Sequence, residues 1–171
     1  SDLGLRKQVL DCQYIASMNH KAGSFSVLGR LQRHFTALGC QSSSDADLAM
    51  VFQSVLDAHL ADFPSAVAKA GRAVVDATLA VHREMALRFL PSAVKFHYNF
   101  NMRDLAAVFQ GLCASSARHT RRTLPLARLW MHECARVYSD RLISETEIAR
   151  CADILVDVAK RRLDENPEEP C

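Results

Sequence analysis

The sequence predicts an α+β chain that is mostly α: a fragment of α/β structure with at most two strands, then a helical bundle. Three observations carry that expectation. Apolar residues recur at three-and-four spacing almost throughout the region after Pro64. Three Ser or Asn residues stand three positions before an acid, the signature of a capping box. The first forty residues hold only two short runs of strand character, separated by a loop with Gly23, Ser24 and Ser26.

The elements follow in order. Leu10 to Met18 reads as a strand ending at Asn19, with a loop from His20 to Gly29. Arg30-Leu31-Gln32-Arg33-His34 comes next as an irregular stretch, and Phe35 to Leu38 reads as a second short strand. Ser44 with Asp47 predicts a capped helix to about Asp62, with Leu48, Phe52, Val55 and His59 on one face. Residues 65 to 90 form a long helix with Val67, Val74, Val81 and Met85 along one side, ended by Pro91. Asn101 with Asp104 caps a helix carrying Leu105, Val108, Phe109, Leu112 and Cys113. Pro125 suits the first turn of a further helix with Leu126, Trp130, Cys134 and Val137. Ser144 with Glu147 predicts a third capping box, opening a helix with Ile148, Cys151, Leu155 and Val158. Two strands make no stable sheet alone, and both ends of the sequence look abrupt. The expectation is therefore a segment of a longer polypeptide.

Apolar residues make up 49% of the 171 and charged residues 23%, an ordinary globular composition with enough apolar surface for a core. The net charge of +2 argues against bulk electrostatic binding of nucleic acid or membrane. No apolar run approaches the ~20 residues that cross a bilayer. The six cysteines form no C-x-x-C pair; Cys113, Cys134 and Cys151 fall on apolar helix faces, as small core residues do. His132 and Cys134, two apart on a helix, point to different faces and make a poor pair of metal ligands.

Arg103 is the residue that folding alone does not ask for. It falls in the first turn after Asn101, at the positive end of the helix dipole, where a cation is unfavourable by roughly 0.3–1 kcal/mol. Helix starts are also where phosphate binds. Arg103 is either a surface residue or a phosphate ligand. Asn19 follows a strand end, where α/β sheets place ligands; its carboxamide either caps the loop or contacts a phosphate. Arg30 and Arg33 are either surface residues or the kind of exposed arginine that stabilises charge in phosphoryl transfer, including on a neighbouring subunit's nucleotide. The basic run Arg118, His119, Arg121 and Arg122 lacks interleaved aromatics and reads as a solvated loop. Trp130 is read as core, and His132 and Glu133 as a packing or surface pair. No G-x-x-x-x-G-K-[ST] loop is present and no apolar strand ends in paired acids, so this segment should not hydrolyse a nucleotide alone.

Three blocks carry a resemblance. Tyr14-Ile-Ala-Ser-Met-Asn19 with Ala22-Gly23-Ser24-Phe25 and Arg30-Leu-Gln-Arg-His-Phe35 is the first. Lys95-Phe-His-Tyr-Asn-Phe-Asn-Met-Arg-Asp-Leu105 with Val108-Phe-Gln-Gly-Leu112 is the second. Arg128-Leu-Trp130, His132-Glu133, Arg136-Val137 and Asp140-Arg-Leu-Ile143 make the third. In this order they resemble the third AAA+ module of axonemal dynein heavy chains, over roughly residues 10 to 145. The resemblance implies that 1–63 end the large α/β subdomain and 64–171 form the helical lid. It implies that Asn19 is the sensor-one residue and Arg103 the sensor-two arginine. Arg33, with Arg30 as understudy, would be the arginine finger toward the preceding module's nucleotide. ATP or ADP with magnesium would sit on a phosphate loop and acidic strand end upstream. Implied partners are the neighbouring AAA+ modules, dynein intermediate and light chains and, through other parts of the chain, microtubules; the implied location is the cytoplasm and the axoneme of cilia and flagella. His20-Lys21 and Leu28-Gly29 stand where the family usually has prolines, which loosens the loop bearing Arg30 and Arg33; Ala107 replaces a basic residue common in the family. The alternative is a helical interaction or scaffold module with no nucleotide role.

Overall fold

The computed structural model describes residues 10–18, 27–41 and 43–163, and these fall into two units divided between Gln41 and Ser42. In the first unit the described residues are all exposed and contain one short helix, α1 (Gly29–Gln32). Neither predicted strand forms. Asp11 adopts φ 56°, a left-handed conformation that breaks an extended run at its second residue. Residues 36–38 are irregular, and Ile15 is 91% exposed with no ladder beside it. A strand exists by pairing, and among the described residues there is no strand to pair with. Among the described residues no strand of the expected α/β part is present, and the regular structure is helical.

Among the described residues the second unit is a bundle of five helices: α2 (Asp45–Leu60), α3 (Ser65–Arg88), α4 (Met102–Leu112), α5 (Thr123–Tyr138) and α6 (Glu145–Val158). A 3-10 turn (Ser139–Arg141) joins α5 to α6, and a π-helical turn (Ala159–Leu163) follows α6. The long helix α3 is the centre, touching each of the others. Its predicted stripe is buried in full: Val67, Val74, Val81 and Met85 are all inside. Helix α2 is rotated from its predicted phase. Phe52, Leu56 and Leu60 are buried, and Val55 is exposed, because the inward row runs at strict four-residue spacing from Phe52. Phe52 stacks on Phe109 of α4 with ring centroids 4.4 Å apart. Gly71 lets α2 and α3 approach: a Cβ there would lie 3.2 Å from Leu60 Cδ1.

Trp130 is wholly buried and hydrogen-bonded, as a core tryptophan must be. Cys134 and Cys151 are buried beside it in the same core cluster, and Cys113 is partly covered. Burial pushes the Cys134 thiol well up and the Cys151 thiol up to about 11, so both stay protonated and unreactive at neutral pH. Glu133 does not pair with His132. It is buried against Gly111 and holds Arg136, with Oε2 2.8 Å from Nε.

Candidate functional site

The start of α4 is built by a reciprocal cap. Asn101 is extended (φ −141°), and its Oδ1 accepts from the Arg103 backbone N–H at 2.9 Å. Asp104 Oδ2 accepts from the Asn101 N–H at 2.7 Å. Two of the amides that a helix start would offer to an anion are therefore already used. The cationic group at this helix start is the exposed Arg103 side chain.

Asp104 is 7% exposed, and its second oxygen is also taken: Arg141 Nη2 donates to Oδ1 at 2.5 Å. The same guanidinium donates from Nη1 to the Asn99 carbonyl at 3.3 Å and lies 5.3 Å from the Phe100 ring centroid. The Arg141 carbonyl faces His97 Nε2 at 3.2 Å. One residue of the α5–α6 turn thus touches four of the eight residues from His97 to Asp104.

The preceding part of this segment is tied to α6. Lys95 Nζ donates to Glu147 Oε1 at 2.6 Å and Tyr98 Oη donates to Glu147 Oε2 at 2.8 Å. Tyr98 in turn accepts from the Ile143 N–H at 3.0 Å. The Lys95 hydrogen bond, then that of Tyr98, holds the Glu147 carboxyl below its ordinary range, and Glu147 raises Lys95. These partners explain why the third capping box is not made. Glu147 is engaged by an ammonium and a phenol, and Ser144 bonds Thr146 Oγ1 at 2.8 Å with no cap hydrogen bond of its own.

Within the second block the charged side chains Lys95 and Asp104 are thus consumed by the fold, and Arg103 is the exception. Arg103 is exposed, and its guanidinium has no hydrogen bond or ion pair among the described residues. Arg30 lies in α1, and Arg33 is its C-cap; both are exposed, and Arg33 Nε lies 3.3 Å from His34 Nε2. Asn19 falls outside the described residues. The structure therefore gathers Asn101, Arg103, Asp104 and Arg141 into one site. Sequence reasoning missed Arg141, Lys95, Tyr98 and Glu147 as organisers, since pairings 37 to 52 residues apart leave no spacing signal. The only available hint was that three of them fall inside or beside the blocks that carry the resemblance. Among the described residues no cluster of His, Cys, Asp and Glu could hold a metal, and no helix is long and apolar enough to cross a membrane.

Residues 74–170 match the family model of the AAA+ lid domain, more than half of the chain. The chain belongs to the AAA+ lid domain family. Its lid helices α4, α5 and α6 lie entirely inside the matched range, as do Arg103 and Arg141. Over 93% of its length this lid-bearing chain is 41% identical to the dynein beta chain of the flagellar outer arm of Chlamydomonas reinhardtii. It is likewise 41% identical over 95% to the ciliary dynein beta chain of Tripneustes gratilla, and 37% identical over 95% to human dynein axonemal heavy chain 17. The chain spans about 4% of the length of each of these relatives.

Proposed function

We propose that this chain is a piece of an axonemal dynein heavy chain, a microtubule motor ATPase, and that it carries the lid of the third AAA+ module. On this reading residues 1–63 end the large subdomain and 64–171 are the lid. Arg103 is the sensor-two arginine that contacts the terminal phosphate of ATP, Asn19 is sensor one, and Arg33 or Arg30 reaches the preceding module's nucleotide. The lid would then move against the large subdomain as nucleotide is bound and released, within an axonemal assembly of neighbouring modules, intermediate and light chains, and microtubules.

A single observation supports this most: Arg103 is the charged side chain of its block that the fold leaves unspent, at a helix start. The surroundings suit a phosphate. Asp104, the acid next in sequence, is neutralised by Arg141, so the site keeps a net positive charge. The chain itself contains no phosphate loop, so ATP and magnesium would be held by other parts of the polypeptide. When bound, magnesium would neutralise phosphate charge; this chain's residues would bind and report.

The test is Arg103→Ala in the full heavy chain, read by nucleotide affinity. Losing a charge-assisted contact should cost about 1.5–3 kcal/mol, or roughly tenfold to over a hundredfold in affinity, with little change in thermal stability. Unaltered affinity would remove the reading.

A further inference from the structure

We infer that Arg141 is a positioning residue for Arg103, acting through Asp104 and Asn99; the inference rests on the phosphate-contacting role proposed for Arg103. Arg141 sits on the turn between α5 and α6, outside the segment that bears Arg103. It is half-buried, and it spends both terminal nitrogens on that segment: Nη2 on Asp104 Oδ1 at 2.5 Å and Nη1 on Asn99 O at 3.3 Å. The guanidinium carbon lies over the Phe100 ring, 5.3 Å from its centroid. Asn101 and Asp104 bracket Arg103 and hold each other through the cap. The backbone that aims Arg103 is thus clamped from the α5–α6 turn by one planar fork.

Charge adds to geometry. An unpaired Asp104 would place a carboxylate one residue from the cation that must meet a phosphate. Pairing with Arg141 cancels that charge, and leaves Arg103 as the net charge at the mouth of α4. Adjacent helical residues do not face each other, so Asp104 can be held inward while Arg103 points outward. The exposure of the two residues follows that division: Asp104 is buried and Arg103 exposed. Lysine cannot replace the fork, because its single ammonium lacks two rigidly spaced nitrogens to hold Asp104 and Asn99 at once.

The experiment is a double-mutant cycle in the full heavy chain that carries this segment, with the phosphate-loop lysines of its other nucleotide sites replaced. Wild type, Arg103→Ala, Arg141→Lys and the double variant are titrated with a fluorescent ATP analogue, and melting temperatures are measured in parallel. Arg141→Lys should weaken nucleotide binding about tenfold. In the Arg103→Ala background it should cost less than about twofold further, while lowering the melting temperature in both backgrounds. Wild-type affinity in Arg141→Lys, or losses that multiply in the double variant, would overturn the inference and leave the role of Arg103 standing. Wild-type affinity in Arg103→Ala would sink both. Should Arg141→Lys fail to fold, Arg141→Gln, which removes the planar fork and leaves the Asp104 charge uncancelled while keeping an amide donor, carries the same expectations.

Discussion

The indole N–H of Trp130 donates to Thr78 Oγ1 across 2.9 Å, and the Thr78 hydroxyl donates its own hydrogen to the Val74 carbonyl at 2.7 Å. Both side chains are fully buried, and they join α5 to the central helix α3. The threonine hydroxyl matters here as an acceptor more than as a donor, since the Val74 carbonyl already takes part in the helix.

Thr78→Val keeps the shape of the side chain and strands the indole N–H. The expected cost is about 1–3 kcal/mol, the penalty for a buried donor without a partner. Trp130 is the single tryptophan, so chemical denaturation followed by its fluorescence measures the loss directly. An unshifted midpoint would show that the N–H finds another acceptor.

Gly111 is fixed by its neighbour across the α4–α5 contact. A Cβ at that position would run into the Glu133 carboxylate, so Gly111→Ala must shift the side chain that holds Arg136. The substitution should destabilise by about 1–2 kcal/mol, since losing a charge-paired hydrogen bond outweighs the gain in helix propensity. In a Glu133→Ala background the sign should reverse, with Gly111→Ala stabilising by up to about 1 kcal/mol. Thermal melts of the four combinations decide it; a loss of equal size in both backgrounds would mean that the clash lies elsewhere.

His82 gives the bundle an acid-sensitive point. Its Nδ1 lies 3.1 Å from Tyr138 Oη, and burial lowers its pKa, while Asp104 and Asp45 pull the other way. Burial also pushes the Tyr138 phenol far up, so it stays protonated beside the neutral ring. Because the folded state binds the proton less well than the unfolded one, the stabilisation is complete above roughly pH 6.5. It is lost as pH falls through the lowered folded-state value. Denaturation midpoints taken from pH 7.5 down to 5.0 should fall more in wild type than in His82→Gln. Parallel curves would assign the acid sensitivity to other groups.

The helices were legible in the sequence because their signals are local. The Ser44–Asp47 and Asn101–Asp104 caps and the Val67–Met85 stripe each lie within a few turns of one helix, and all are present. The residues with a competing distant partner were not legible. Glu147 has the right spacing from Ser144 for a cap, yet Lys95 and Tyr98 claim it. Val55 fits a three-residue step as well as Leu56 fits a four-residue one, and only the position of α3 chooses between them. The strand expected over 10–18 failed for a related reason: its apolar residues set a preference, but only pairing makes a strand. At the candidate site, the oddity of Arg103 was visible from dipole arguments alone. The fork of Arg141 behind it was not.

The Lys95–Glu147 and Tyr98–Glu147 ties also impose a schedule. During translation the segment around Lys95 is made 52 residues before the glutamate that satisfies it. At about 5–20 residues per second, the ammonium and phenol wait roughly 3–10 s for their acceptor. Until α6 emerges from the ribosome, Arg141 can hold the end of the α3–α4 connector at Asn99, but its Lys95 and Tyr98 stretch has no carboxylate to fasten it. A nascent chain stalled in that interval would hold a connector latched at one end only.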